Sequence, residues 1–224
     1  MRVIGGSERG RRLVVPKGRD VRPTPDRVRE TLFNWLQGEV EGAAALDLFA
    51  GSGALGVEAL SRGGAFVTFV ENNRAALGAL AGNLEWLSKS PPHESPPPGG
   101  ETGPLGKNGG DSGGGAGDGS GGSGEAGGSR FEIVRASAWG FLDRPPPRRY
   151  DLVFLDPPYG RGWAARAAQR LAAGGWLAAE AAVYVETGRD EGAPAVPAGW
   201  RLRREGTCGD VAYRLYHSQG KETA

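Results

Sequence analysis

Residues 45–61 read ALDLFAGSGALGVEALS, and this stretch decides the fold. Its first part, from Ala45 to Ala50, is apolar apart from Asp47 and indicates a short buried strand. Its last part, from Ala54 to Ser61, is typical of a helix. Glycines between the two parts allow a tight turn that other residues would strain. A strand, a glycine-rich turn and a helix in this order predict one βα unit of an open parallel sheet.

The rest of the chain repeats this alternation. Further strands are predicted at 66–71, 131–134, 151–155 and 182–186, with helices at 74–87 and around 163–173. An earlier helix is predicted from Thr24 as N-cap, with Pro25 in the first helical position, to about Gln37. Segments 200–205 and 211–216 predict an antiparallel hairpin at the sheet edge. The fold class is therefore α/β: a mostly parallel, Rossmann-like sheet with helices on both faces and an antiparallel C-terminal hairpin.

The glycine-rich turn also indicates a ligand. Residues 51–56 follow the pattern G-x-G-x-x-G, and Glu71 lies twenty residues after Gly51 at the end of the second predicted strand. Glycine lets a backbone approach a ligand closely, and an acidic side chain at that strand end can accept from both ribose hydroxyls. A nucleoside-containing cofactor follows. The pattern alone fits a nicotinamide dehydrogenase or a methyltransferase, and a turn without any ligand is the remaining alternative.

Asp47 separates these possibilities. It lies inside the first strand, four residues before Gly51, where a carboxylate would repel a pyrophosphate but could balance the ammonium of an amino-acid moiety. Asp47 to Gly53, with Phe49, Gly51 and Ser52 between them, resembles the first motif of S-adenosylmethionine-dependent methyltransferases. The alternative is a carboxylate bonded only to nearby loop amides.

A second constellation, Asp156-Pro157-Pro158-Tyr159, follows the predicted strand at 151–155. The carboxyl ends of parallel strands are where open α/β sheets bind ligands. The prolines fix the turn and can leave carbonyls aimed into the crevice, while Tyr159 offers a flat face. The four residues resemble the motif of enzymes that methylate exocyclic amines of nucleobases. A Pro-Pro turn that merely ends a strand is the alternative.

The chemistry of an aryl amine explains these residue types. Its lone pair is conjugated with the ring, so it is a weak nucleophile. Asp156 and a neighbouring carbonyl would accept from the amine, orient the lone pair and stabilise positive charge on nitrogen. Stacking on Tyr159 would hold the base out of its helix or loop. We therefore expect Asp156, Pro157, Pro158 and Tyr159 to form the catalytic site.

Composition and charge indicate what kind of partner the protein binds. Gly, Pro and Ser make up 28 of the 40 residues from Ser90 to Ser129, which predicts a disordered insert at about 90–129. The first 30 residues hold nine Lys or Arg against four Asp or Glu, a net +5, whereas the whole chain carries +1. Such a basic arm predicts a polyanion partner, with an ordinary solvated tail as the alternative. The candidate RNA contacts are Arg9, Arg11, Arg12 and Arg22.

Other features bear on metal and location. One cysteine and two histidines argue against a disulfide framework and against a thiolate or histidine metal centre, so we expect metal-free chemistry. No stretch approaches 18 uninterrupted apolar residues, and the N-terminal arginines are not followed by an apolar run. We therefore expect a soluble, cytoplasmic protein without a membrane partner.

Together these segments carry a family resemblance. The chain resembles the bacterial RsmD-type 16S ribosomal RNA guanine-N2 methyltransferases in five segments. These segments are 1–6 (MRVIGG), 22–36 (RPTPDRVRETLFNWL), 47–61, 156–159 and 211–216 (VAYRLY). The resemblance covers essentially the whole chain outside 90–129. It implies a class I methyltransferase domain in which residues 1–37 form a basic arm and helix of the same domain, and 38–224 form the interrupted core.

The resemblance also implies a reaction and its partners. A methyl group would pass from S-adenosylmethionine to the N2 amine of a 16S rRNA guanine, numbered 966 in the family's name. The substrate would be rRNA within the small subunit or a late assembly intermediate. Independently of the resemblance, we expect the enzyme to be a monomer. The loop of Ser137 and Ala138 would border the cofactor's adenine. An N6-adenine methyltransferase on DNA or RNA, a nicotinamide-dependent oxidoreductase and a noncatalytic RNA-binding assembly factor remain alternatives.

Overall fold

The computed structural model describes residues 1–16, 24–87 and 129–219. The predicted RNA contact Arg22 and almost all of the predicted disordered insert at about 90–129 lie outside these residues. No helix in the described part of the chain is long and apolar enough to cross a membrane.

The described residues form five α-helices and seven strands, which alternate from the first helix to the fifth strand. The helices are α1 (Asp26–Trp35), α2 (Ala54–Ser61), α3 (Arg74–Leu84), α4 (Ala138–Leu142) and α5 (Trp163–Ala173). The strands are β1 (Ala44–Asp47), β2 (Phe66–Glu71), β3 (Phe131–Arg135), β4 (Tyr150–Leu155), β5 (Leu177–Gly188), β6 (Trp200–Cys208) and β7 (Val211–Ser218).

The strands form one sheet in the order β3-β2-β1-β4-β5-β7-β6. The first five are mutually parallel, and β7 runs antiparallel between β5 and β6. The predicted fold class, a mostly parallel sheet with an antiparallel C-terminal hairpin, is confirmed. Because β1, β2, β4 and β5 point the same way, their carboxyl ends meet at one edge of the sheet.

Each face of the sheet has its own apolar core, which explains why most residues of the central strands are apolar. On β4, Leu152 and Phe154 belong to the core under α1, α2 and α3, whereas Val153 and Leu155 belong to the core under α4 and α5. Successive side chains of a strand point to opposite faces, so a strand covered on both sides shows no polar alternation.

The first sixteen residues pack against the body of the protein. Arg2 and Arg12 form an antiparallel bridge, and Val3 and Leu13 are buried in the core. The amides of residues 4 and 5 both donate to Glu58 at 2.8 Å, on the buried face of α2. This segment is therefore built into the fold through main-chain contacts.

Some predicted boundaries were wrong. Pro25, not Thr24, is the N-cap of α1, and no side chain caps this helix. Thr24 instead donates its hydroxyl hydrogen to Asp156, far along the chain. Strand β5 begins at Leu177, five residues before its predicted start, because the alanines that precede its apolar centre carry no strand signal. The short helix α4 was not predicted at all.

Candidate active site

Four carboxylates stand at the edge where the parallel strands end. Asp47 ends β1, Glu71 ends β2, Asp156 directly follows β4, and Glu186 lies near the end of β5. These strands are neighbours in the order β2-β1-β4-β5, so the four side chains line one continuous rim. This rim is the ligand-binding edge of an open α/β sheet, and it is strongly acidic.

The glycine loop after β1 leaves room at this rim. Gly51 has a φ of 55° and Gly53 one of 80°, a region that side chains rarely tolerate. A Cβ on Gly56 would lie 2.3 Å from the Phe69 ring, so this glycine lets α2 pack closely on the sheet. A Cβ on Gly51 would have only a carbonyl oxygen, 4.0 Å away, as a neighbour. The loop therefore presents open space where a ligand's atoms can approach the backbone.

Asp47 is buried at the base of this loop, with 2% of its surface exposed. Its Oδ2 accepts from the Gly56 amide at 3.1 Å, in the first turn of α2. Burial raises the pKa of Asp47 to about 7, helped by the negative charge of Glu71 and opposed by the Gly56 hydrogen bond. Since no cation pairs with Asp47 in the described residues, a positively charged ligand would stabilise its ionised form.

Glu71 fixes the second side of the loop. One of its oxygens accepts from the Gly51 amide at 2.8 Å, and the other accepts from the amides of Asn72 and Asn73 at 2.7 Å. The carboxylate thereby ties the end of β2 to the glycine turn. The oxygen bonded to Gly51 keeps a lone pair for a further donor. The role of Glu71 toward ribose hydroxyls stays a prediction.

The predicted adenine loop follows β3. Ser137 is the N-cap of α4, and its hydroxyl accepts from the Gly140 amide at 3.0 Å. The side chain of Ala138 is buried in the second core. The Ser137 hydroxyl can still donate, whereas Ala138 has only its main chain to offer a ligand. Contact between this loop and an adenine stays a prediction.

Phe49 and Ser52 occupy different positions in the glycine loop. Phe49 is half-buried against Trp139 and Trp163, with ring centroids 6.3 and 6.2 Å away. Ser52 is buried, and its carbonyl accepts from the Asn83 amide at 2.9 Å. The loop is therefore held by contacts on both of its sides, independently of any ligand.

Asp156 is half-buried at the centre of the rim. Its Oδ2 accepts from the Thr24 hydroxyl at 3.1 Å, a contact that joins residues 132 positions apart. Pro157 is buried and Pro158 exposed, so the turn is anchored by its first proline. Burial raises the pKa of Asp156 well above its usual value, and the negative charges of Glu186 and Asp47 raise it further.

Tyr159 is oriented by Glu186, a residue that the motif does not include. The Tyr159 hydroxyl donates to Oε1 of Glu186 at 2.5 Å, and the Tyr184 hydroxyl donates to Oε2 at 2.8 Å. Glu186 is 1% exposed, and burial raises its pKa, while the hydrogen bonds from Tyr159 and Tyr184 lower it. Two phenols thus hold one buried carboxyl group in place.

A cavity of about 340 Å³ opens beside this group. Its walls are Pro25, Tyr159, Glu186 and the β6–β7 turn at 208–211. Its volume falls within the range of roughly 300–1,000 Å³ that small-molecule sites occupy. The motif following β4 therefore borders a recess large enough for a small planar ligand.

Known proteins resemble the chain along its whole length. A family model described as "Conserved hypothetical protein 95" matches residues 1–95 and 125–217. "Ribosomal RNA small subunit methyltransferase D" of Escherichia coli K12 is 41% identical, an alignment that covers 100% of this chain and 94% of that protein. Its counterpart in Haemophilus influenzae is 36% identical over 97% of this chain and 94% of that one.

The chain belongs to this methyltransferase family. A solved structure described as "Putative methyltransferase yhhF from Escherichia coli" superposes with a TM-score of 0.74 and 39% identity, covering 98% of each chain. An RNA methyltransferase from Salinibacter ruber, solved with S-adenosyl-L-homocysteine, has a TM-score of 0.55 and 12% identity over 89% of this chain and 95% of that one, a likeness of fold alone. The protein is therefore an enzyme, a methyltransferase with the class I fold.

The residues of this family member fit a cationic methyl donor. Asp47 is buried without a positive partner among the described residues, and the open space at Gly51 lies beside it. Among these residues no cluster of three or more His, Cys, Asp or Glu could hold a metal ion. The acidic rim thus suits a ligand with an ammonium and a sulfonium group.

The predicted RNA-binding arginines of this methyltransferase differ in their surroundings. Arg9, Arg11 and Arg12 are all exposed. Arg11 lies 4.2 Å from the centroid of the Trp86 ring and pairs with Glu8 at 3.3 Å. Arg11 therefore has a structural task besides any RNA contact, and the RNA role of the arm stays a prediction.

Two site residues escaped the sequence analysis. Thr24 was interpreted as a helix cap, and only its contact with Asp156 reveals its place in the site. Glu186 ends the run VYVE, where an acid follows an apolar strand much as Asp156 does. Its position at the carboxyl end of a predicted parallel strand was the signal that could have identified it.

Proposed function

We propose that this methyltransferase transfers the methyl group of S-adenosylmethionine to the N2 amine of a guanine in small-subunit ribosomal RNA. The family relatives named for that RNA supply the substrate class. The observation that carries the proposal is the placement of Asp156 between the glycine loop on one side and the cavity beside Tyr159 on the other. A donor on the first side and a base on the second would meet at this carboxyl group.

The glycine-loop side would hold the methyl donor. Asp47 would pair with its ammonium group, and Glu71 would accept from its ribose hydroxyls. The other contacts would come from the loop after β1 and the loop after β3, namely Phe49, Gly51, Ser52, Gly53, Ser137 and Ala138. When bound, S-adenosylmethionine supplies an electrophilic methyl carbon, whose bond to sulfur breaks with both electrons remaining on sulfur as the new bond to nitrogen forms.

The residues after β4 would prepare the amine. The carboxylate of Asp156 and a second acceptor beside it take the two hydrogens of the amine, which turns the nitrogen lone pair toward the donor side. Tyr159 stacks on the base and keeps it unstacked from its RNA neighbours. The negative charge of Asp156 stabilises the positive charge that grows on nitrogen in the transition state.

The methylated nitrogen must then lose one proton. Asp156 lies next to it and has a raised pKa, so it is able to accept this proton. The proton then leaves to solvent through the half-exposed side of Asp156. Nitrogen gains a carbon, loses a proton and returns to neutrality.

The RNA would approach the rim from the side of the N-terminal segment. The exposed arginines Arg9 and Arg12 would contact phosphates, joined by Arg11 and Arg22. We propose a small subunit or late assembly intermediate as the substrate, and a monomeric enzyme acting in the cytoplasm.

Identification of the product tests this function. Small-subunit rRNA lacking the modification is incubated with enzyme and S-adenosylmethionine, digested, and its nucleosides separated by mass spectrometry. N2-methylguanosine is expected. N6-methyladenosine would move the enzyme to adenine chemistry, and the absence of any methylated nucleoside with free RNA and intact subunits alike would contradict the proposal.

A further inference from the structure

Glu186 is a buried carboxyl group without a cationic partner. Its side chain is 1% exposed, and none of the ion pairs in the described residues includes it. The two tyrosine hydrogen bonds offset part of the cost of burying this carboxylate, but an apolar side chain of the same size would need no such compensation, so the fold gains no stability from the charge. The residue is therefore better explained by a ligand than by folding.

The surroundings of Glu186 point to the kind of ligand. It lines the cavity of about 340 Å³ together with Tyr159. Leu155 on β4 pairs with Val185 on β5, so the next residues along the chain, Asp156 and Glu186, lie side by side. Each Glu186 oxygen accepts one tyrosine hydroxyl and keeps a second lone pair. Two acceptor positions on one planar group therefore remain available beside the cavity.

We propose that Glu186 reads the Watson–Crick edge of the target base and selects guanine over adenine. This inference rests on the proposed function. Guanine presents two adjacent donors, N1–H and the N2 amine, which match a carboxylate as the two N–H groups of a guanidinium do. One N2 hydrogen binds Glu186 and the other binds Asp156, so the amine is held between the two carboxylates.

Adenine is rejected by the same group. Its N1 has a lone pair and no hydrogen, so that lone pair would face the negatively charged Glu186 oxygens. A neutral Glu186 could donate to adenine N1, but a bound cationic methyl donor favours the ionised form of the acidic rim. The charge of the donor thus helps to enforce the choice of base. Tyr159 and Tyr184 keep the carboxylate in the orientation that the base requires.

A target base that lacks the hydrogen on N1 tests the inference. Two subunit RNAs are compared, one with guanine and one with 2-aminopurine at the methylated position. The second base keeps the N2 amine but has no hydrogen on N1. Single-turnover rates of methyl transfer give a guanine to 2-aminopurine ratio for each enzyme. For the parent enzyme we expect a ratio of about 10 to 100, the discrimination of one good bidentate contact.

Glu186→Gln should collapse this ratio at least tenfold. Its amide keeps the size of the side chain and an acceptor for a tyrosine hydroxyl, but it places an N–H opposite N1, which suits 2-aminopurine. Glu191→Gln is the matched control: Glu191 lies five residues further on, accepts from the Gly188 amide at 2.9 Å and is exposed, and its variant loses the same charge. The control should keep the parent ratio.

A merely structural Glu186 predicts a different result. Glu186→Gln would then slow transfer to both bases equally and leave the ratio unchanged, which would overturn the inference. Glu186→Asp is a second test. It keeps the charge but moves the carboxylate away from the base by one methylene, and it should also lower the ratio. If the parent enzyme forms no N2-methylguanosine, the proposed function itself fails. If the parent enzyme methylates guanine but Glu186→Gln has the parent ratio, only the inference about Glu186 fails.

Discussion

Asp47 should make the stability of the enzyme depend on pH in a way that one substitution removes. Its pKa in the folded protein is about 7, because it is buried, against 3.8 for an exposed aspartate. The folded state therefore binds this proton more tightly than the unfolded state does. Stability from this group is fully present below about pH 4 and is lost as pH rises toward 7.

Between pH 5 and pH 8, the free energy of unfolding falls only up to the folded-state pKa of about 7, that is, over about two pH units. This fall corresponds to roughly 2 to 3 kcal/mol. Asp47→Asn cannot ionise, yet its amide oxygen can still accept from the Gly56 amide. We expect the variant to gain this amount over the parent on going from pH 5 to pH 8.

Urea unfolding at both pH values, without cofactor, measures the difference. The carboxyl groups of Asp156 and Glu186 contribute a slope of the same sign in both proteins. The difference between the two proteins therefore reports Asp47 together with the effect of its charge on Asp156. Parallel pH profiles for parent and variant would refute the argument from burial. Calorimetry adds a second test, since S-adenosylmethionine should release a proton from Asp47 on binding at pH 6 in the parent and not in the variant.

Three further predictions concern the donor, the RNA and the base. Glu71→Gln should weaken S-adenosylmethionine binding by roughly 10- to 150-fold in calorimetry, because hydrogen bonds to a charged acceptor are lost; unchanged affinity in a folded variant would remove Glu71 from the site. The Arg9→Ala, Arg12→Ala double variant should flatten the log-log salt dependence of RNA binding by roughly 0.7 to 0.9 per contact and leave cofactor binding unchanged. A variant with the slope of the parent enzyme would show that these arginines do not contact the RNA. Tyr159→Ala should cost about 1 to 3 kcal/mol in methyl transfer measured at limiting RNA, whereas Tyr159→Phe keeps the stacking ring, loses only the hydrogen bond to Glu186 and should lose less activity; equal losses would argue against stacking.

The architecture was predictable because its signals are local. A glycine-rich turn after an apolar strand, and an acid at each strand end, lie within short stretches of sequence, so pattern and spacing suffice to place Asp47 and Asp156 at one rim. Apolar runs such as 151–155 likewise indicate a strand covered on both faces.

The remainder of the site depends on contacts between distant segments. Thr-Pro-Asp is a typical helix start, and nothing near Thr24 in the sequence shows that its hydroxyl faces Asp156 across 132 positions. Glu186 belongs to no recognised motif, and one of its two tyrosine donors, Tyr159, lies 27 positions earlier in the chain, after β4. Tertiary packing, which pattern analysis does not supply, brings these side chains together.

Single-turnover methyl transfer by Asp156→Ala tests the central claim most directly. The matched control is Asp151→Ala, which removes an exposed carboxylate from the other end of the same strand, where it accepts from the Ala44 amide at 2.9 Å. With unmodified small-subunit rRNA and saturating S-adenosylmethionine, we expect the Asp156 variant to form N2-methylguanosine about 100- to 1,000-fold more slowly than the parent, with cofactor affinity retained, and the Asp151 variant to match the parent. A folded Asp156→Ala enzyme that methylates guanine at the parental rate would contradict the account.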